Sequence, residues 1–245
     1  MTAKSPADIA GLRAIGRIVR AVFEQMKRAA RAGVTTAELD AIGAAVLERH
    51  GARSAPRYFY DFPGATCISV NEEAAHGIPG SRRLADGDMV NIDVSAERNG
   101  YVADMGESFV VGTATAAQQA LLDATRRAVD DGIAAMRAGR PLNVIGKAVE
   151  KVAAEKGYRI VRNLGSHGVG RSLHEEPSYI PVFDPRDQRK LTEGLVLTIE
   201  PFFTTGQPLV EQADDGWTLL CSRGAMVAQF EHTVIVTRAR PIVVT

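Results

Sequence analysis

The sequence predicts a mixed α/β (α+β) protein, a single domain over residues 1–245 made of two αβ halves related by an approximate twofold. Three observations predict this class: two pairs of helices with matching stop signals, two strand segments that align without gaps, and a hairpin dipeptide in a β-rich stretch. The halves are expected to cover roughly residues 1–112 and 113–245. A cleft where their sheets meet is where a binding site is expected.

The first pair of helices is predicted from caps and apolar spacing. A serine-proline step at residues 5–6 is typical of a helix start, and apolar residues then recur every three or four positions. This helix is expected to run to about Ala32, where Gly33 stops it. Thr35 and Glu38 form a capping-box pattern for the second helix. Both helices are expected to be structural.

A second pair of helices repeats this pattern. A long helix is predicted over residues 115–136 and a shorter one ends at Gly157. The tripeptide RAG closes the first predicted helix at residues 31–33 and the third at residues 137–139. This agreement indicates an internal repeat.

The repeat continues into the strands. LADGDMVNID at residues 84–93 aligns with LTEGLVLTIE at residues 191–200, sharing leucine, glycine and isoleucine, with acidic residues matching at two further places. Asp93 and Glu200 therefore occupy equivalent positions at the ends of two strands. We expect these acidic strand ends to converge on the centre of the molecule.

A hairpin is predicted at Asn99-Gly100, because both residues tolerate the positive φ of a type I′ turn. With a two-residue turn, Ser95 faces Asp104, and Asp93 lies on the same face as both. Two carboxylates among apolar neighbours would repel each other unless a cation lay between them. The alternatives are a half-exposed hairpin with solvated aspartates, or a three-residue turn that puts the two aspartates on opposite faces.

Further side chains in the second half suit metal binding. Glu200 ends an apolar run, Glu231 precedes an alternating β-run, and His167 and His174 lie in a glycine-rich stretch. Buried carboxylates are costly unless they are paired or coordinate a metal. Four carboxylates with one histidine form an oxygen-rich set that suits Mn, Fe, Co or Zn, and two such ions could share an acidic water. Taken singly, each residue also has a purely structural explanation.

Composition excludes several classes of protein. With 29 basic and 29 acidic residues the net charge is zero, which gives no global field for nucleic acid or an anionic membrane, although a local basic patch remains compatible with it. Only Cys67 and Cys221 are present, the first residues lack a signal-peptide pattern, and no apolar run approaches a membrane span. We therefore expect a cytoplasmic protein.

The sequence resembles the type I methionine aminopeptidases, which have the pita-bread fold, a curved antiparallel sheet covered by helices. Five motifs in order carry the resemblance: CISVNEEAAHGIP, NIDVS with YVADM, GSHGVGRSLHEEP, TIEPFF and AQFEHT. They span nearly the whole chain, and the lack of a large insertion between the second and third motif sets indicates type I. The resemblance implies a single catalytic domain that removes the initiator methionine from nascent proteins whose second residue is small.

The resemblance also implies roles for individual residues. Two divalent ions (Co, Mn, Fe, Zn or Ni) would be held by five residues, of which Asp104 and Glu231 would bridge: Asp93, Asp104, His167, Glu200 and Glu231. His167 is thereby chosen over His174 as the ligand. Glu200 would also pass a proton from the attacking water to the leaving amine, while His76 and His174 would contact the substrate and steady charge on the carbonyl oxygen.

The pocket for the methionine side chain is lined by aromatics and a cysteine in this family. Those positions correspond here to Phe59, Phe62, Cys67, Leu173 and Trp217. Many relatives have tyrosine at the first two positions and an aromatic at the fourth. We therefore expect a less polar pocket that still suits a flexible thioether.

The expected partners are nascent polypeptide N-termini, and any ribosome docking would use the domain surface. We expect a monomer, without nucleic-acid or membrane binding. Two alternatives remain: an X-Pro aminopeptidase of the same fold, whose relatives carry an additional N-terminal domain, and a metal-free scaffold binding peptides or RNA. Such a scaffold is expected to have lost ligand residues, whereas all five are present.

Overall fold

The computed structural model describes all residues, 1–245, and contains five α-helices. In chain order these are α1 (Pro6–Ala29), α2 (Thr36–Arg49), α3 (Ala55–Tyr60), α4 (Ala116–Ala135) and α5 (Val144–Lys156). No helix has both the length and the apolar character needed to cross a membrane.

Fifteen mostly short strands complete the fold. They are β1 (Arg53–Ser54), β2 (Cys67–Val70), β3 (Glu73–Ala75), β4 (Met89–Arg98), β5 (Tyr101–Val110), β6 (Arg159–Ile160), β7 (Gly165–Gly168), β8 (Glu175–Pro181), β9 (Val196–Ile199), β10 (Phe202–Thr204), β11 (Glu211–Gln212), β12 (Leu219–Leu220), β13 (Val227–Gln229), β14 (His232–Ile235) and β15 (Ile242–Val243).

The predicted helix starts are present with their caps. Ser5 and Thr35 both form capping boxes, with the side chains of Asp8 and Glu38 returning to the cap backbone. The first helix ends at Ala29 rather than near Ala32. The reason is tertiary: the backbone N–H of Gly33 donates to the carbonyl of Leu84 at 2.8 Å, which turns the chain away from the helix axis before the glycine is reached.

Two antiparallel sheets form the centre of the molecule. In one, β4 pairs with β1 and β2 on one edge and with β5 on the other; the second has the order β15-β14-β9-β7-β8. One hydrophobic cluster packs α1 and α2 against β4 and β5, and another packs α4 and α5 against β9 and β14. The sheets meet where the N–H of Glu231 donates to the carbonyl of Gly106 at 2.8 Å.

The hairpin has the predicted two-residue turn. Asn99 and Gly100 have φ values of 55° and 75°, and the register pairs Ser95 with Asp104 and Asp93 with Gly106. The prediction that Asp93 and Asp104 share a face is therefore confirmed. The turn fixes the register, and the register decides which side chains face the junction of the two sheets.

Replacing Gly100 by alanine is expected to lower the free energy of unfolding by about 1–2 kcal/mol, because a Cβ is disfavoured at this positive φ. An added Cβ would meet only Arg171, at 3.5 Å, so the cost is conformational. Gly80→Ala is the control, since its φ is not positive and its added Cβ would meet only the Ile78 carbonyl oxygen, at 3.9 Å. Urea unfolding measures both; equal stability of the two variants would contradict the role of the turn.

Candidate active site

One cavity of about 440 Å³ opens at the junction of the sheets. Four carboxylates and a histidine line it together: Asp93, Asp104, His167, Glu200 and Glu231. They come from β4, β5 and β7 and from the residues next to β9 and β14. The structure thus brings together all five residues assigned as metal ligands, from both halves of the chain.

Three of these side chains form the tightest group. Ligand atoms of Asp104, His167 and Glu231 all lie within 4.8 Å of one another, and each residue is buried. His167 Nε2 also lies 3.4 Å from Glu200 Oε1. Asp93 lines the cavity beside this group, opposite Cys67 in the register of β2 and β4.

Hydrogen bonds hold the carboxylates at fixed positions. Thr198 Oγ1 donates to Glu200 Oε1 at 2.6 Å and also accepts the N–H of His167 at 3.0 Å. Thr233 Oγ1 accepts the N–H of Asp104 at 2.8 Å. These hydroxyls fix where the acidic strand ends lie across the sheet junction.

Glu231 is oriented by an amide network. Gln229 Nε2 donates to Glu231 Oε2 at 2.8 Å, and Gln229 Oε1 accepts from Asn91 Nδ2 at 2.8 Å. The Asn91 donor thereby fixes which end of the Gln229 amide faces the carboxylate. Gly106 leaves space for this arrangement, because a Cβ there would lie 2.2 Å from Gln229 Oε1.

The donor set fits divalent cations. Asp104 Oδ1 and Glu231 Oε1 are buried with no hydrogen-bond partner, which is costly for an oxygen acceptor unless a cation binds it. His167 Nδ1 lies 3.0 Å from the carbonyl of Gly168, so an Nδ1–H donating there leaves the Nε2 lone pair facing the carboxylates. Burial lowers the pKa of His167 to about 3, which keeps the ring neutral and able to ligate.

Removal from water and mutual repulsion raise the pKa values of the carboxylates, whereas the pKa of His167 is lowered. Burial raises the pKa of Glu200 to about 8 and that of Asp93 to about 6. The pKa values of Asp104 and Glu231 rise well above their usual range, first through burial and then through neighbouring negative charges. Without a bound cation, this cavity therefore holds protons near neutral pH.

Two more histidines line the cavity. His76 is exposed towards the cavity and has a left-handed φ of 56°. The next residue, Gly77, is anchored by its carbonyl, which accepts from the N–H of Ile68 at 2.9 Å. The His174 ring contacts that of His167, with centroids 4.0 Å apart and planes tilted by 36°. Tyr60 Oη lies 2.8 Å from His174 Nδ1. When Tyr60 donates to Nδ1, a neutral His174 carries its proton on Nε2 and can donate it to another group.

The predicted apolar wall is present with one exception. Phe62, Cys67, Leu173 and Trp217 line the cavity, and the Phe62 and Trp217 rings meet edge-on with centroids 5.2 Å apart. Phe59 does not line it and packs against the first hydrophobic cluster instead.

Tyr60 lines the cavity where Phe59 was expected. Successive side chains of a helix point about 100° apart, so α3 directs only one of these two residues to the cavity. Tyr179 also lines the cavity, so the wall carries two hydroxyls and is more polar than expected. Sequence analysis missed both tyrosines. Neither lies in the residue patterns used to assign the pocket, and only the three-dimensional contact with His174 distinguishes Tyr60.

The chelator-treated protein is expected to lose stability as pH rises from about 6.5 to above 8. In this window the folded carboxylates retain protons that the unfolded chain has released, so the free energy of unfolding falls with increasing pH. Below about pH 6.5, the buried neutral His167 and His232 make the free energy of unfolding rise with pH, because their pKa values are lowered in the folded state. Urea unfolding across pH 6.5–8.5 measures the slope.

Two controls test whether the buried carboxylates cause this dependence of stability on pH. Glu200→Gln removes one titrating group and is expected to flatten the slope. Excess Mn²⁺ is expected to reverse it, because the ion competes with protons for the same oxygens. Stability that rises from pH 6.5 to 8.5 in the chelated wild-type protein would contradict the burial of proton-holding carboxylates.

Gln229→Leu is expected to weaken Mn²⁺ binding by about tenfold or more, because Glu231 loses the donor that orients it. Calorimetric titration of the chelator-stripped protein measures the affinity. Gln212→Leu is the matched control, since Gln212 is exposed and donates only to the Gly216 carbonyl. Unchanged affinity in Gln229→Leu would rule out this orienting role.

Comparison with known proteins agrees with this geometry. Residues 10–238 match the model of metallopeptidase family M24. Methionine aminopeptidase 2 of Bacillus subtilis is 45% identical over 247 residues, covering 100% of this chain and 99% of the relative. A methionine aminopeptidase of Staphylococcus epidermidis is also 45% identical, covering 100% and 98%.

Solved structures agree as well. Methionine aminopeptidases from Thermotoga maritima and Rickettsia prowazekii superpose with TM-scores of 0.95 at 28% and 31% identity, covering 100% of this chain and 99% and 100% of those chains. Prolidase from Pyrococcus furiosus shares the fold, with a TM-score of 0.79 at 22% identity, but this chain covers only 64% of it. The predicted pita-bread fold is confirmed, and the chain belongs to metallopeptidase family M24, among its methionine aminopeptidases.

Proposed function

We propose that this chain removes N-terminal methionine from polypeptides whose second residue is small. The observation that carries the proposal is a single cavity in which a buried carboxylate–histidine group adjoins an apolar wall of Phe62, Cys67, Leu173 and Trp217. An unbranched thioether suits a wall of this kind. The 45% identity to methionine aminopeptidases over the full chain supports the same activity.

The proposed metal centre holds two divalent ions per chain, with Co, Mn, Fe, Zn or Ni as suitable ions. Asp93, Asp104, His167, Glu200 and Glu231 would hold them. When bound, such ions supply Lewis acidity that lowers the pKa of a water and polarises a carbonyl. Four carboxylates balance the charge of two such ions.

The chain's own residues would carry the proton transfers. Glu200 has one oxygen fixed by Thr198, which leaves Oε2 to take a proton from the attacking water and pass it to the leaving amine. His174, held by Tyr60, would donate from Nε2 to the carbonyl oxygen as negative charge develops there. His76 would contact the substrate beside it.

We expect the part of the cavity lined by His76 and His174 to select for a small second residue. We further propose that residues 1–245 act as one catalytic domain, because both halves of the chain line the cavity, and that the chain acts as a monomer. Nascent N-termini emerging from the ribosome in the cytosol would be the substrates.

Cleavage of three tripeptides tests the proposal. Chelator-stripped protein is expected to release methionine from Met-Ala-Ser only after Mn²⁺ or Co²⁺ is added, and to leave Met-Leu-Ser and Ala-Pro-Ala intact. Glu200→Gln serves as the inactive control, with an expected loss of about a hundredfold or more in kcat. Cleavage of Ala-Pro-Ala would instead indicate an X-Pro aminopeptidase. No cleavage by folded, metal-loaded protein would favour a non-catalytic scaffold.

A further inference from the structure

The segment between β7 and β8 carries two side chains into the cavity. Residues 169–174, here called the histidine loop, belong to no helix or strand, and Leu173 and His174 of this loop line the cavity. Pairing between strands therefore does not set the position of the His174 ring. Because loops are more mobile than the elements they connect, the contacts that hold this loop decide where His174 lies.

Arg171 joins the histidine loop to the first half of the chain. Its Nη2 donates to Asp8 Oδ1 at 2.8 Å, and its Nη1 donates to the carbonyl of Gly100 at 2.9 Å. Its guanidinium carbon lies 4.0 Å from the centroid of the Tyr101 ring. One side chain thus contacts the start of α1, the turn of the hairpin and β5, which suits a planar group that can donate and stack at once.

The partners of Arg171 are themselves fixed by α1. Asp8 Oδ2 accepts the N–H of Ser5 at 3.1 Å in the capping box of this helix, and Oδ1 also accepts from Tyr101 Oη at 3.1 Å. The Tyr101 ring packs on α1 at Gly11, where an added Cβ would lie 2.4 Å from ring atom Cε2. Glycine is unfavourable inside a helix, and here it leaves the space that the ring occupies. Arg171 therefore contacts a carboxylate and a ring whose positions are already set.

Glu175 holds the other end of the histidine loop. Its Oε1 accepts the N–H of Arg171 at 2.5 Å and the N–H of Ser172 at 2.6 Å. Its other carboxylate oxygen pairs with the amino group of Met1. Both the main chain and the side chain of Arg171 are thus anchored, and His174 lies between two anchored residues.

We propose that Arg171 is a positioning residue for His174. Tyr60 holds the His174 ring from within the cavity, whereas Arg171 holds the backbone from which that ring extends. The inference rests on the proposed function, in which His174 donates to the carbonyl oxygen of the substrate. A role in stability alone is less consistent with the geometry, because the Arg171 side chain is 48% exposed and exposed ion pairs contribute little to stability.

Hydrolysis of Met-Ala-Ser by the metal-loaded chain tests this role. Arg171→Gln is expected to lower kcat by about tenfold to a hundredfold, and to change KM less, because misplacing a catalytic group by about 1 Å can cost about a hundredfold. Arg171→Lys keeps the charge but lacks the planar fork, so an intermediate kcat is expected. Arg238→Gln is the control, since it breaks an exposed 2.7 Å ion pair with Glu193, and neither residue lines the cavity.

A double-mutant cycle distinguishes action through His174 from a general effect on the site. In a His174→Ala background, Arg171→Gln is expected to change kcat by about twofold or less, because the group that it positions has been removed. Calorimetric titration is expected to give the same Mn²⁺ affinity for Arg171→Gln and the wild type, since all five proposed ligands are intact.

Histidine-selective NMR of the Zn²⁺-loaded protein gives a readout that needs no turnover. The His174 ring signal is identified by its absence in His174→Ala. It is expected to shift in Arg171→Gln and to stay in place in Arg238→Gln. The signal of His50, which is exposed at the end of α2, is expected to stay in place in both variants.

Three outcomes would overturn the proposal. These are equal, measurable kcat values for Arg171→Gln and Arg238→Gln, an undiminished effect of Arg171→Gln in the His174→Ala background, and an unchanged His174 ring signal in Arg171→Gln. A protein whose His174 signal shifts in Arg171→Gln alone, but which cleaves no peptide, would support the positioning role and count against the proposed aminopeptidase.

Discussion

The rest of the structure depends on the repulsion among four carboxylates that share one cavity largely removed from water. Such a group is unfavourable for folding, because each charge loses hydration and raises the pKa of the others. The chain tolerates it by fixing the carboxylates with hydroxyl and amide donors, from Thr198 and Gln229. These donors leave Asp104 Oδ1 and Glu231 Oε1 without a hydrogen-bond partner, and a cation would satisfy both oxygens.

This constraint explains why the two halves meet as they do. The first half supplies Asp93 and Asp104 on the paired strands β4 and β5, and the second supplies Glu200 and Glu231 beside the paired strands β9 and β14. Neither half alone supplies more than two of the four carboxylates. The contact between Glu231 N and the carbonyl of Gly106 joins the halves at the site itself, so its geometry depends on correct docking of both sheets.

The sequence predicted features that are set locally. Caps placed the helix starts, and the positive φ values of the turn at residues 99–100 fixed the register that puts Asp93 and Asp104 on one face. The motif resemblance then supplied the ligand set. Features that depend on distant contacts were not predicted. Helix α1 ends early because the N–H of Gly33 donates to the Leu84 carbonyl, and Phe59 packs into the core whereas Tyr60 faces the cavity. No local pattern encodes either choice.

Tyr60, which lines the cavity where Phe59 was expected, changes the polarity of the cavity less than its hydroxyl alone would suggest. An unpartnered hydroxyl in an apolar wall would favour polar side chains, since burying it without a hydrogen bond is costly. Tyr60, however, lies within hydrogen-bond distance of His174 Nδ1, so its polar atom is already satisfied when a substrate side chain enters. The surfaces of Phe62, Cys67, Leu173 and Trp217 then dominate the wall. One hydrogen bond thus satisfies the Tyr60 hydroxyl and, when Tyr60 donates it, leaves Nε2 as the protonated nitrogen of a neutral His174.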